Sequence, residues 1–358
     1  MTLPALPAAA ATAAAASAAA KAPSARPQPA SLPGPREAAR ELRTLRDLLR
    51  YAISRFEAAG LAYGHGTADA WEDAAALLRW QLHLPPEPLE PYLDARLCKA
   101  ERRAAAELIE QRVATRQPAA YLIGEAWLGG LRFISDARAL VPRSLIAEAL
   151  DEALPQWLAQ WPQPASRAAD WPRKVLDLCT GGGSLAVLAA DRFGAAQVVG
   201  SDVSADALAL AEINRAEHGL QSRLEFVRGD LFEALAGRRF DLILCNPPYV
   251  NAGSMAALPA EFRAEPQGAL AGGDDGMDLI RRILADAPQY LEPDGLLLLE
   301  IGHEARHFEA AFPTLEFHYL PVTAGEQMLV LIEAAQLAAA AEPAVPRKRP
   351  AARRARKA

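Results

Sequence analysis

KVLDLCTGGGSLAVLAADRFG, residues 174–194, decides the fold. Its opening is a short apolar run interrupted by one acid, Asp177. Its second half carries apolar residues at helical spacing. Between them stand Gly181, Gly182 and Gly183. A buried strand that turns through glycine straight into a helix is the start of a βαβ unit. The pattern then repeats. QVVGSDV (197–203) reads as a strand and SADALALAEINRAEHG (204–219) as a helix; LEFVRGD (224–230) and FDLILCNPPYV (240–250) read as strands. After a long loop come a helix, MDLIRRILADAPQYL (277–291), a strand, GLLLLEIG (295–302), and another helix. The last strands are FHYLPV (317–322) and QMLVLIEA (327–334). Apolar strands alternating with helices predict an α/β fold with a doubly wound, mostly parallel sheet. The final two strands are joined by TAGE alone, too short for a helix. They are expected to pair antiparallel and complete a seven-strand sheet.

Upstream the texture differs. Residues 1–36 are Ala/Pro-rich and read as a disordered extension. Residues 37–117 read as a small helical domain, its first helix ending at Gly60. The YGHGT cluster (Tyr63–Thr67) makes a turn within it. Residues 118–145 read as a hairpin linker with Gly129-Gly130 at its tip. The large domain is expected over 146–336, and a basic tail over 337–358. That tail holds seven basic residues from Arg347 onward, whereas the chain as a whole is formally −6. The body is therefore acidic, about −13 by the same counting. An acidic body argues against a broad face for duplex nucleic acid; the tail remains a candidate for contact with RNA or the ribosome. Cys98, Cys179 and Cys245 are scattered and odd in number, which suits a reducing, cytoplasmic setting without a disulfide framework. No apolar run is long enough to cross a bilayer.

In doubly wound sheets ligands bind at the carboxyl ends of the strands. The first strand ends in DLCTGGGS, where Cys179, Thr180 and the three glycines allow close backbone approach. Asp177 is placed to hold a ligand ammonium through the loop or a water. The second strand ends at Asp202, whose carboxylate could accept from both hydroxyls of a ribose. The third ends at Gly229-Asp230, placed for an adenine edge. Gly181-x-Gly183-x-x-Ala186 with a later acid also fits a dinucleotide fingerprint. Two features lean away from NAD: Asp177, and the Asn-Pro-Pro-Tyr that ends the fourth strand, which hydride transfer does not need.

DLCTGGGS, SD, GD and NPPY in this order resemble the class I S-adenosylmethionine-dependent methyltransferases that act on planar exocyclic nitrogens. NPPY is shared by adenine-N6, some guanine-N2 and protein glutamine-N5 enzymes. The resemblance implies S-adenosylmethionine as cofactor, bound by Asp177, Cys179, Thr180, Gly181, Gly182, Gly183, Asp202, Asp230 and Asn246. It implies that Asn246 and the Pro247 carbonyl accept hydrogen bonds from the acceptor NH₂, with Pro247 and Pro248 stiffening the backbone and Tyr249 stacking on the flat group. The N-terminal helices, the hairpin and LVPRS are similar to the protein glutamine-N5 methyltransferase family. YGHGT and VPRSLI resemble its ribosomal-protein members; release-factor members usually read Pro-Arg-Pro-Asp-Thr-Glu there. EPQGALAGGDDGMD (265–278) matches both branches. The implied substrate is large-subunit ribosomal protein L-three, with Arg143 near the acceptor pocket; a release factor or a nucleic-acid amine is the alternative. The resemblance spans roughly residues 40–335. It departs at Leu231, where adenine stacking by an aromatic is lost, and at Cys179, commonly glycine.

His303-Glu304-Ala305-Arg306-His307 is a literal H-E-x-x-H. Without a third ligand at a family spacing it is not expected to bind zinc, and no metal is expected. His65 is equally suited to capping a turn and to substrate recognition.

Overall fold

The computed structural model describes residues 31–86, 88–160 and 170–341. Residues 1–30 of the N-terminal extension and 342–358 of the basic tail lie outside the described residues.

Four helices open the fold: α1 (Pro35–Glu41), α2 (Leu45–Ala59), α3 (Ala70–Gln81) and α4 (Lys99–Thr115). The expected helix up to Gly60 is thus two helices, and the first begins at Pro35, inside the stretch read as disordered. Proline suits the first helical turn because its missing N–H needs no partner there. The break falls at Thr44. Its hydroxyl accepts from the Asp47 N–H at 3.2 Å, and Asp47 accepts from the Thr44 N–H at 2.9 Å. That reciprocal cap starts a new helix more firmly than Leu42-Arg43 could continue the old one. Leu48, Leu49, Phe56, Leu77, Leu78 and Ile109 fill the core between these helices.

A short helix (Ala119–Ile123) leads to the hairpin, β1 (Glu125–Leu128) and β2 (Leu131–Ile134), antiparallel with Leu128 opposite Leu131. Gly129 and Gly130 both have positive φ (54° and 77°), as a two-residue turn of matching twist requires. The hairpin is fastened to the larger unit. Asn214 accepts from the Ile134 N–H at 2.8 Å, and Arg192 donates to the Gly129 carbonyl at 2.7 Å.

The large sheet comprises β3 (Lys174–Leu178), β4 (Gln197–Asp202), β5 (Leu224–Arg228), β6 (Phe240–Cys245), β7 (Leu291–Glu300), β8 (His318–Val322) and β9 (Gly325–Glu333). Their order is β5-β4-β3-β6-β7-β9-β8. β9 is antiparallel to both neighbours, as the TAGE link requires; the other pairs are parallel. Side chains alternate between two apolar layers. Val175, Val198, Leu242, Leu244 and Leu296 face one layer. Leu176, Leu178, Val199, Ile243 and Leu297 face the other. From β3 the chain winds outward to β4 and β5, then returns to β6 on β3's other side. The sheet therefore reverses direction between β3 and β6, which opens a crevice at their carboxyl ends.

A final helix, Ala334–Ala341, straddles the boundary expected at residue 336 between the large domain and the tail. Leu337 is buried beside Ala334 in the sheet's core, so the folded body runs past residue 336. Its alanine-rich sequence had imitated low complexity.

Candidate active site

The glycine turn after β3 is held in an unusual backbone. Cys179, Gly181 and Gly183 all have positive φ (63°, 55° and 82°). At Gly183 a Cβ would meet the Phe226 ring at 2.9 Å and the Ala211 Cβ at 3.0 Å, so packing and backbone both demand glycine. At Cys179 the left-handed backbone is borne by a non-glycine residue, at a cost on the order of 1 kcal/mol. Two acids brace the turn. Asp177 is buried; its Oδ2 accepts from the Thr180 hydroxyl at 2.5 Å and from the Ala186 N–H at 2.9 Å. Its Oδ1 has no partner among the described residues. Burial pushes its carboxyl up to about 7, the two hydrogen bonds opposing. Asp202, at the end of β4, accepts from the Gly181 N–H at 2.9 Å and from the Ser204 N–H at 2.8 Å. Each carboxylate oxygen thus keeps lone-pair capacity.

These residues wall a cavity of about 340 Å³, large enough for a small-molecule ligand. Asp177, Cys179, Thr180, Gly181, Gly182, Asp202 and Asp230 line it, together with Arg143, Asn246 and Pro248. Gly183 does not, because it packs inward. Asp230 reaches the wall while paired with Arg282 at 2.8 Å on an open surface. Leu231 also lines the cavity, with positive φ (51°), and offers an aliphatic rather than an aromatic surface.

The Asn246 side chain makes no hydrogen bond to any described residue, so both its amide oxygen and its NH₂ are unspent. Pro247 is buried and is not part of the wall. Tyr249 corrects the expectation of a stacking ring. It is not part of the wall either, and its hydroxyl donates to Glu300 at 3.0 Å. Its ring lies against Gly302, where a Cβ would stand 2.5 Å from the Tyr249 Cε2. Gly272 and Gly276 press on its backbone from another side. NPPY is clasped by three glycines, which fixes the strand end more tightly than two prolines alone.

Two buried glutamates escaped the reading of the sequence. Glu300 accepts from Tyr249, from the Ser144 hydroxyl at 2.6 Å and from the Leu145 N–H at 3.0 Å. Burial raises its carboxyl above the ordinary range. Glu265 takes both ends of Arg143, at 2.5 and 2.8 Å, and the Val141 N–H at 3.1 Å. The V-P-R-S segment is thus anchored twice, by Glu265 at Arg143 and by Glu300 at Ser144. Glutamates at the end of an apolar strand and at the start of E-P-Q-G-A-L were the available signal.

His65 does not cap a turn. It is buried, its ring 4.1 Å from that of Phe262, and neither ring nitrogen makes a hydrogen bond to any described residue. In the H-E-x-x-H segment only the second histidine is helical, since the helix runs Ala305–Ala311. Glu304 accepts from Asn251 at 2.7 Å and pairs with His307. The two histidines therefore do not present one helical face.

The donor set fits a cationic adenosyl cofactor. Three acids line the wall, Asp202 has acceptor capacity for a diol, and the buried Asp177 Oδ1 lacks a partner among the described residues. Residues 165–316 match the family described as methyltransferase small domain. The chain is 55% identical over 297 residues to the ribosomal protein uL3 glutamine methyltransferase of Bordetella pertussis, covering 83% of this chain and 97% of that one. It is 49% identical to the protein of that name from Burkholderia pseudomallei, covering 84% and 97%. With the Neisseria gonorrhoeae protein of that name identity is 45%, over 84% and 98%.

Proposed function

The chain belongs to the family of ribosomal protein uL3 glutamine methyltransferases, and from that premise we propose that it methylates the side-chain amide nitrogen (N5) of one glutamine in uL3. S-adenosyl-L-methionine, when bound, supplies an activated methyl group. What this chain supplies is placement. A primary amide is a poor nucleophile because its nitrogen lone pair is delocalised into the carbonyl. The Asn246 Oδ1 accepts from one N–H of the substrate amide, and the carbonyl of Pro247, whose residue lies outside the cavity wall, is the proposed acceptor for the other. That pins the amide plane and favours positive charge as it develops on nitrogen. Pro247 and Pro248 restrict the backbone so that both acceptors hold their aim. Tyr249 acts from below: anchored to Glu300, it keeps the strand end in place. Arg143, its charge balanced by Glu265, offers its remaining N–H groups to the acceptor side. Asp177, Cys179, Thr180, Gly181, Gly182 and Asp202 form the cofactor's cradle, with Asp230 at its adenine end and Gly183 shaping the turn from behind.

One observation carries this reading: the unspent Asn246 amide stands on the wall of the same cavity as Asp202 and the glycine turn. The N-terminal helices and the V-P-R-S junction are proposed as the substrate-recognition region, and the basic tail from Arg347 as a contact for ribosomal RNA. No helix among the described residues is long and apolar enough to cross a membrane; the reaction is assigned to the cytoplasm, where ribosomes assemble. Labelled S-adenosylmethionine given to purified enzyme with uL3 tests the reading. One glutamine of uL3 should gain a single methyl mass. Label on RNA would move the enzyme to another acceptor class.

A further inference from the structure

None of the N-terminal helices reaches the cavity. Its wall begins in sequence at Arg138. If those helices recognise substrate, their influence must pass through something else, and one segment touches both sides. Glu261, fully buried, lies 2.8 Å from Arg116 and 3.9 Å from Arg112, both at the C-terminal end of α4. Phe262 packs on His65 and stands 5.7 Å from the Arg143 guanidinium. Its ring tip also approaches Gly64, where a Cβ would meet it at 3.4 Å. Glu265 holds Arg143 and the Val141 N–H, and its Oε2 is 3.6 Å from the His65 Nε2. Immediately beyond it, Pro266, Gly268 and Ala269 enter the cavity wall. The Leu270 carbonyl then accepts from Val250 at 2.9 Å, closing back onto NPPY.

Resting on the functional reading above, we infer that Glu265 is a positioning residue for the acceptor wall, and that His65 and Phe262 carry the placement of the N-terminal helices to it. Glu265 is the one acid that both fixes the Arg143 fork and ties down the backbone at Val141. A mostly buried guanidinium without its carboxylate would turn toward water or toward another acceptor. With its partner in place the guanidinium is fixed, and each of its three uncommitted N–H groups is held in a defined direction. His65 makes no hydrogen bond of its own, so its contribution is shape: it backs Phe262, and Phe262 backs the 261–265 segment. This couples YGHGT to V-P-R-S, which lie far apart in sequence.

Two readouts on the full chain test this. The first is hydrogen exchange across residues 138–145, which needs no protein substrate. Glu265→Gln, and His65→Ala to a lesser degree, should speed exchange there while the peptide covering β3 stays unchanged. The second is steady-state kinetics on uL3. Glu265→Gln should lower kcat/KM on the order of 100-fold, as misplacement of a positioning contact does, with the dissociation constant for S-adenosylhomocysteine within about threefold of wild type. Glu265→Asp should recover part of the loss. Arg143→Met with Glu265→Gln should be no worse than Arg143→Met alone, because the two act as a unit. Unchanged exchange in both variants overturns the inference, as do additive kinetic losses. Wild-type enzyme that fails to methylate uL3 would sink the functional reading instead, and the exchange data would still decide the coupling.

Discussion

At the residue scale the account rests on what Asn246, Asp202 and Asp177 each do. Asn246→Ala should cut turnover about 10²- to 10³-fold, the usual loss when one oriented polar group at a reacting centre is removed. Cofactor affinity by calorimetry should stay near wild type, because the acceptor amide, not the cradle, loses its partner. Turnover within a few-fold of wild type would remove Asn246 from the chemistry. Asp202→Ala should weaken cofactor binding by roughly 1.5–3 kcal/mol, the range for charge-assisted hydrogen bonds. An unchanged dissociation constant would place the ribose elsewhere. Asp177 makes a prediction about pH. Its folded carboxyl titrates near 7, above the ordinary value of 3.8. A raised acid binds its proton more tightly in the folded state, so Asp177 favours folding at low pH. That advantage is lost as pH climbs from about 4 toward 7, and is gone above it. Asparagine keeps an oxygen for Thr180 and Ala186 without the buried charge. Asp177→Asn should therefore flatten the thermal-stability profile between pH 4 and 7; an unchanged slope would show that Asp177 titrates normally.

At the scale of elements, the glycine turn is the most tightly specified piece. Gly183→Ala adds a Cβ against Phe226 and Ala211 in a left-handed backbone. It should destabilise by about 1–3 kcal/mol, the usual cost of overpacking, read as a lower melting temperature with little cofactor-specific effect beyond it. This element was fully legible in the sequence, as were the seven strands and the closing hairpin. Each rests on a local pattern: apolar alternation, a turn residue, or a link too short for a helix. Less legible were features set by distant contacts. The split between α1 and α2 depends on the reciprocal Thr44–Asp47 cap, visible in principle as T-x-x-D but overridden by continuous helical periodicity. Tyr249 looked like a stacking ring because its motif ends there. Glu300 and Gly302, some fifty residues on, instead determine where its hydroxyl and ring go. Glu265 stands in E-P-Q-G-A-L, a motif to which the sequence assigns no contact; the fold brings Arg143, Val141 and His65 to it.

The whole molecule has an acidic body, and its proposed substrate is basic. The described chain and its extension carry a formal charge near −13 without the seven basic tail residues. Ribosomal proteins are basic because they neutralise RNA phosphates, so encounter should be steered electrostatically. Raising salt from about 50 to 200 mM should lower kcat/KM for uL3 several-fold while leaving cofactor affinity almost unchanged, since screening acts over roughly 10 Å of water but little inside a cavity. Substrate choice is where the proposed roles of the cavity, the V-P-R-S junction and the N-terminal helices meet. The most direct test gives purified enzyme equimolar uL3 and a peptide-release factor in one tube with labelled S-adenosylmethionine, then maps label by tandem mass spectrometry. The account predicts one methyl on the side-chain nitrogen of a single uL3 glutamine, with the release factor essentially unlabelled. Faster labelling of the release factor, or methyl on any atom other than a glutamine amide nitrogen, would contradict it.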